Sequence, residues 1–195
     1  MLTVFLDRDG VINRKPPDGD YVKSWQEFEF LPGVLDALHA LKQHGFRLLV
    51  VTNQRGVCLG RFSENDLRLI HDRMAEALRN ADAALDAIYY CPHDNNSCDC
   101  RKPGTGLFLQ AQRDFPDIHF PDSFVVGDST VDMEAAARLG CKKVLVGDDI
   151  AGVIAVLKPE KLQVDFSAGS LLEAVREYLI KPNNEVRPAK ASGAS

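Results

Sequence analysis

The side chains able to do chemistry sit at a few points of the chain. Residues 5–13 read FLDRDGVIN, an apolar run that ends in Asp7, Asp9 and Gly10. A short apolar run closed by turn residues reads as a buried strand. Asp7 then lies at its carboxyl tip, and Asp9 leans to the same side if the backbone stays extended. Two carboxylates this close repel each other. A hard cation removes that cost, and Mg²⁺ takes one or two carboxylates together with phosphate oxygens. The same residues also suit a plain strand followed by a polar Asp-Gly turn, and this stretch alone leaves both readings open.

Three further groups follow the same rule of apolar run, then polar tip. Thr52-Asn53-Gln54 ends the run 46–51, Lys102 lies in the loop after the run 87–90, and Gly127-Asp128 ends the run 123–126. Taken singly, each has an ordinary explanation: a strand-end hydroxyl, a solvated lysine, and a turn former or helix N-terminal residue. Taken together they describe phosphoryl transfer. A carboxylate can attack phosphorus and become an aspartyl-phosphate, which suits Asp7. A second acid must protonate the leaving alkoxide and later activate water, which suits Asp9. Mg²⁺ on Asp7, Asp128 and a backbone carbonyl near Asp9 would offset the charge. Thr52 and Lys102 would hold the remaining phosphoryl oxygens.

A second cluster is Cys91-x-His93 with Cys98-x-Cys100. Four nitrogen and sulfur ligands on one loop fit a closed, structural zinc site. Arg101 and Lys102 follow the last ligand directly, so the metal would fix both cations over the reacting centre. Cys58 and Cys141 read as ordinary small residues. His39, His44, His71 and His119 are scattered and receive no role.

The elements that must position these groups alternate. Strands are expected at 3–6, 46–51, 87–90, 123–126 and 143–146, with a weaker one at 164–166. Helices are expected at 32–45, at 63–80 behind the Ser63 cap with Asp66 three residues on, and at 107–113, 132–139 and 171–180. Alternation of this kind implies an α/β fold, a doubly wound parallel sheet with helices on both faces. Ligands of such sheets bind beyond the carboxyl ends of the strands, where Asp7, Thr52, Lys102 and Asp128 converge. The chain of 195 residues is long enough for one domain, expected over 1–181, and the polar tail 182–195 is expected to be disordered. A net charge of −5 without a basic run argues against a nucleic-acid partner. No apolar run reaches the roughly 20 residues of a membrane span, and no signal peptide is visible. The expectation is a cytoplasmic monomer acting on a small molecule.

On these residues the chain resembles the haloacid dehalogenase (HAD) superfamily of aspartate-nucleophile phosphatases. The matching motifs are Asp7-Arg8-Asp9-Gly10, Thr52-Asn53, Lys102, and Gly127-Asp128-Ser129 with Asp132, over roughly residues 2–147. More narrowly, Thr52-Asn53-Gln54, the Tyr-Cys-Pro-His stretch and Cys98-Asp99-Cys100-Arg101-Lys102-Pro103 are similar to the D-glycero-D-manno-heptose 1,7-bisphosphate 7-phosphatases and their relatives, the histidinol-phosphatases. The resemblance implies a Rossmann-like fold, an Asp7 nucleophile, an Asp9 acid/base, and Mg²⁺ on Asp7, Asp9 and Asp128. It also implies phosphoryl contacts from Thr52 and Lys102, substrate recognition by Arg101, and a role in lipopolysaccharide core precursor synthesis. The intervals between motifs leave no room for an inserted cap domain. The site is then open, walled by loops 15–24 and 54–61 and by the zinc loop. Asp18, Tyr21, Asn53, Gln54, Arg55 and Arg101 are the substrate-contact candidates, with Arg55 and Arg101 suited to a second phosphate. Histidinol phosphate is the alternative substrate. A non-catalytic phospho-ligand-binding protein is the alternative of another class, and a polynucleotide-end phosphatase is disfavoured by the acidic charge.

Overall fold

A computed structural model of the chain describes residues 1–17, 19–95, 97–158 and 162–181. Six strands, β1 (Thr3–Leu6), β2 (Arg47–Asn53), β3 (Ala87–Cys91), β4 (Phe124–Gly127), β5 (Lys142–Val146) and β6 (Phe166–Ala168), form one sheet in the order β3-β2-β1-β4-β5-β6. Every pairing is parallel. A parallel sheet needs crossovers, and the helices α1 (Val34–Gln43), α2 (Glu64–Asn80), α3 (Gly106–Asp114), α4 (Thr130–Leu139), α5 (Ile150–Leu157) and α6 (Leu171–Ala174) stand between or after the strands. A wider turn, Val175–Leu179, continues α6.

Side chains of a strand alternate between faces, and the core divides accordingly. Val4, Leu6, Leu48, Val50 and Val126 pack with Leu38 of α1, Met74 of α2 and Val175. Phe5, Leu49, Val51 and Val125 pack on the other face with Phe108 of α3 and Ala135 of α4. Both faces of the sheet are therefore covered, which is why its strands read as unbroken apolar runs rather than alternating ones.

The doubly wound reading holds, with three differences, the first being that the last strand lies at Phe166–Ala168 where 164–166 was expected. β2 continues to Asn53 because its ladder with β3 runs through Thr52↔Tyr90 and Asn53↔Cys91. The helix α5 was not expected. Its sequence, IAGVIAVL, is almost wholly apolar, so it shows no polar face for a helical period to reveal. Its start is marked by Asp149, whose carboxylate accepts from the Gly152 amide. The expected disordered tail lies outside the described residues.

The strand order reverses between β1 and β4, which are neighbours. That reversal opens a crevice at their carboxyl ends. Asp7 follows one strand of the pair and Asp128 follows the other.

Candidate active site

The Asp7 amide extends the β1–β4 ladder by donating to the Val126 carbonyl at 2.9 Å, so the backbone of Asp7 is fixed by the sheet. Its side chain is held from below by Lys102, whose Nζ lies 3.0 Å from Asp7 Oδ1 and 2.6 Å from Asp132 Oδ1. Lys102 also donates to the Val51 carbonyl at 2.7 Å and is only 3% exposed. Burial alone would lower its affinity for a proton, but Asp132 and Asp7 outweigh that and raise its pKa. Lys102 is thus a fixed cation, not a solvated one. Asn53 spends both ends of its amide on Lys102, donating to its carbonyl at 3.1 Å and accepting from its N–H at 3.0 Å. Asn53 therefore positions Lys102, a different task from the substrate contact expected of it.

Asp132 is the residue the sequence reading left without a role. It is fully buried and closes a reciprocal cap with Ser129 at the start of α4, so its local pattern reads as helix capping. Only the tertiary structure adds the ion pair with Lys102.

The carboxylates of Asp7, Asp128 and Asp132 converge, with their nearest oxygens within 4.8 Å of one another. Burial pushes the Asp7 carboxyl up to about 7, against the pull of Lys102, and the charges of Asp132, Asp128 and Asp9 add to the rise. Gly10 permits the crowding, because a Cβ there would collide with the Asp128 carboxylate. Three clustered carboxylates, one of them buried and two half-buried, with Lys102 pairing only Asp7 and Asp132, fit a hard divalent cation such as Mg²⁺. At its outer side Asp128 meets Lys15, Nζ to Oδ2 at 2.7 Å.

The raised pKa of Asp7 gives a testable sign. A carboxyl that ionises less readily folded than unfolded favours folding at low pH, and the advantage is lost as pH rises from about 4 towards 7. A divalent ion binds the ionised form. The rise in Tm on adding Mg²⁺ should therefore be larger at pH 8 than at pH 5, as measured by thermal melts of chelator-treated protein.

The Asp9 carboxylate does not join this cluster, which leaves its backbone carbonyl as the group the expected metal role falls to. The backbone fails to stay extended: the Arg8 carbonyl accepts from the amides of Ile12 at 2.8 Å and Asn13 at 3.0 Å, coiling the chain into a turn. The Asp9 carboxylate is clasped by Arg8 Nη2, 2.9 Å from both oxygens, with Asn13 at 2.8 Å and Gln54 at 2.9 Å. Burial would raise its pKa, but Arg8, Asn13 and Gln54 bring it below the ordinary value. Gln54 bridges onward to Thr52 Oγ1 at 3.0 Å and accepts from Arg8 at 3.2 Å. Gln54 is buried and its amide is occupied on both ends, so it organises Asp9 and Thr52 where a substrate contact was expected.

The zinc loop has the geometry its spacing implied. The Sγ atoms of Cys91, Cys98 and Cys100 lie 3.1 to 3.5 Å apart, and His93 Nδ1 is 3.2 Å from Cys100 Sγ. A tetrahedral zinc with Zn–S bonds of about 2.3 Å sets its sulfurs under about 4 Å apart, so the four donors fit that ion. A Cys100→Ser variant should lose most of its bound zinc and melt earlier. Metal analysis of protein purified without chelator checks this, expecting about one zinc per chain before substitution.

Arg55, expected at the substrate, instead places Nε 2.5 Å from Asp94 Oδ1 and so ties the loop 54–61 to the zinc loop. Tyr21 lies beside Phe62, the rings tilted by 56° with centroids 6.1 Å apart, and Gly56 leaves room for both rings. Asp18 lies outside the described residues. Arg101, expected at the substrate, lines a recess of about 810 Å³ beside Lys102 and Asn53. Among the described residues its buried Nη1 has no hydrogen-bond partner.

The polynucleotide kinase 3 phosphatase family model matches residues 3–169. The D-glycero-beta-D-manno-heptose-1,7-bisphosphate 7-phosphatase of Escherichia coli O6:H1 is 45% identical over 152 residues, 73% of this chain and 78% of that protein. The D-glycero-alpha-D-manno-heptose-1,7-bisphosphate 7-phosphatase of Mycobacterium bovis is 42% identical over 158 residues, 78% of this chain and 83% of that one. The crystal structure of D,D-heptose 1,7-bisphosphate phosphatase from B. bronchiseptica, complexed with magnesium and phosphate, superposes with a TM-score of 0.82 at 34% identity, over 92% of this chain and 98% of that one. With these matches joined to the strand-tip carboxylates and the Cys/His loop, the chain belongs to the polynucleotide kinase 3 phosphatase family and, within it, to the heptose-bisphosphate phosphatases of the HAD fold.

Proposed function

We propose that this protein is a Mg²⁺-dependent phosphomonoester hydrolase that removes the 7-phosphate of D-glycero-D-manno-heptose 1,7-bisphosphate. The observation that carries the reading is the buried Lys102, which clamps Asp7 and Asp132 beneath the crevice and leaves Asp7 facing outward. The relatives named above support the sugar.

Asp7 attacks phosphorus in line, and the ester oxygen departs from the opposite side. Asp9, beside the crevice and partly exposed, hands a proton to that oxygen and afterwards takes one from the water that splits the acyl phosphate. Its resting carboxylate is ionised, and the charge of an arriving phosphate raises its affinity for the proton it must carry. Thr52 and Lys102 hold phosphoryl oxygens. Mg²⁺, held by Asp7 and Asp128 with Asp132 close by, would supply charge neutralisation for nucleophile and phosphate. A single domain over residues 1–181 accounts for every one of these groups.

The Arg101 guanidinium at this recess, with its Nη1 unpartnered among the described residues, supports recognition of the second, anomeric phosphate, since a guanidinium suits phosphate oxygens. Arg101→Ala should reduce kcat/KM for the bisphosphate roughly tenfold more than for a simple monophosphate ester; equal losses would remove Arg101 from that role. The overall reading is tested by kcat/KM across the α and β heptose 1,7-bisphosphates, histidinol phosphate and fructose 1,6-bisphosphate. A clear preference for one heptose anomer supports it, and a preference for histidinol phosphate would replace it.

A further inference from the structure

His71 lies on α2, far from the crevice in sequence, and no step above uses it. It is nevertheless buried, 6% exposed, with Nε2 3.2 Å from Arg8 Nη1. A guanidinium has only donors, so Nε2 must be the acceptor and the ring must be neutral on that side. Burial and the adjacent Arg8 charge both hold His71 neutral, lowering its pKa to about 3 against the weaker opposite pull of Asp9. The Tyr90 ring of β3 also lies against it, centroid 5.6 Å away.

Arg8 is itself fully buried. Its Nη2 and Nε clasp Asp9, Nη2 also reaches Gln54, and Nη1 ends on His71. A planar fork with one arm anchored cannot swing about its long side chain. Without the anchor, the Nη1 donor would be buried and unpaired, and the guanidinium would turn to satisfy it. The Asp9 carboxylate, bonded to Arg8 through both oxygens, would turn with it.

We infer that His71 is a positioning residue for the acid/base step: a neutral acceptor on α2 that fixes Arg8 and, through Arg8, aims the Asp9 carboxylate at the leaving oxygen. This rests on Asp9 being the acid/base. Its consequence is selective. An alkoxide leaving group needs the proton Asp9 delivers, whereas p-nitrophenolate is stable enough to depart without it.

The test compares kcat/KM for D-glycero-D-manno-heptose 1,7-bisphosphate and for p-nitrophenyl phosphate in His71→Phe, His71→Gln and Asp9→Ala. Unfolded protein lowers both rates alike, so the ratio of the two substrates reads positioning rather than stability. His71→Phe should lose roughly tenfold on the bisphosphate and stay within about twofold on the aryl ester. His71→Gln, which keeps an acceptor, should restore the ratio. If His71→Phe does not fold, His71→Met is read in its place. Equal losses on both substrates, or no loss on either, overturn the inference. Asp9→Ala separates the two layers: if it discriminates and His71→Phe does not, the inference alone fails. If Asp9→Ala itself does not discriminate, the acid/base reading fails and carries the inference with it.

Discussion

Replacing Asp7 with asparagine should lower kcat on the order of 10⁴-fold or more while leaving the fold intact. An amide oxygen cannot carry the phosphoryl group, because its nitrogen-conjugated carbonyl is a far weaker nucleophile than a carboxylate. The amide does preserve shape. The asparagine oxygen can still accept from Lys102 and from the Arg8 amide, which donates to Asp7 Oδ1 at 2.7 Å. Stability should hold or rise, since the substitution removes a charge that burial disfavours, as the raised pKa of Asp7 records. Steady-state rates with and without Mg²⁺, beside a thermal melt, check both parts. An Asp7→Asn protein with substantial turnover would move the nucleophile elsewhere.

The second large effect belongs to Lys102. Lys102→Met keeps the volume of the stem and deletes the ammonium. Asp7 and Asp132 then face each other with no cation between them, and a buried charge stripped of its partner costs about 3–5 kcal/mol. Urea unfolding should show a loss in that range, and activity should fall by several orders of magnitude because nucleophile and phosphate lose their fixed counter-charge. The two losses can be separated. Adding Asp132→Asn to Lys102→Met should restore much of the stability, because one of the two orphaned charges is gone, and should restore none of the activity. A double variant as unstable as the single one would mean that Lys102 stabilises by packing instead.

These effects follow from how the sequence places its groups. Asp7, Thr52, Lys102 and Asp128 were legible because each stands where an apolar strand stops, and strand tips are visible as a change in composition. The zinc loop was legible because its four ligands lie within ten residues, so no tertiary knowledge is needed to bring them together. What the sequence hid is tertiary in origin. Asp132 satisfies a local rule, the helix cap, and so conceals its ion pair with a lysine thirty residues upstream. Asp9 was misdirected by assuming extended backbone after Asp7, whereas the turn at Arg8 folds its carboxylate back onto the guanidinium. Asn53, Gln54 and Arg55 were read as substrate contacts from their place after Thr52 and, for Arg55, from the fit of a guanidinium to phosphate, and the sequence did not show that their side chains bond Lys102, Asp9 and Asp94. Arg8 and His71 are 63 positions apart, a separation no short motif can span. The helix α5 was missed for the opposite reason, an excess of apolar residues with no period.

No described helix is long and apolar enough to cross a membrane, and among the described residues no inserted domain stands between the strands that carry the site. Access is therefore governed by the side chains of the surrounding loops. Arg55 to Asp94 and Tyr21 to Phe62 link those loops to one another, so the walls of the crevice are braced before substrate arrives, which favours pre-organised binding.

The claim at the centre of this account is that phosphorus passes through Asp7 before it meets water. In-line displacement inverts phosphorus, so two successive displacements return the original configuration. The direct measurement is the stereochemical course of hydrolysis of a chiral phosphorothioate analogue of the substrate, labelled with two oxygen isotopes and hydrolysed in water of the third, so that the released thiophosphate is itself chiral. Net retention is the predicted result. Net inversion would mean that water attacks the ester directly, and Asp7 would then be a metal ligand and not a nucleophile.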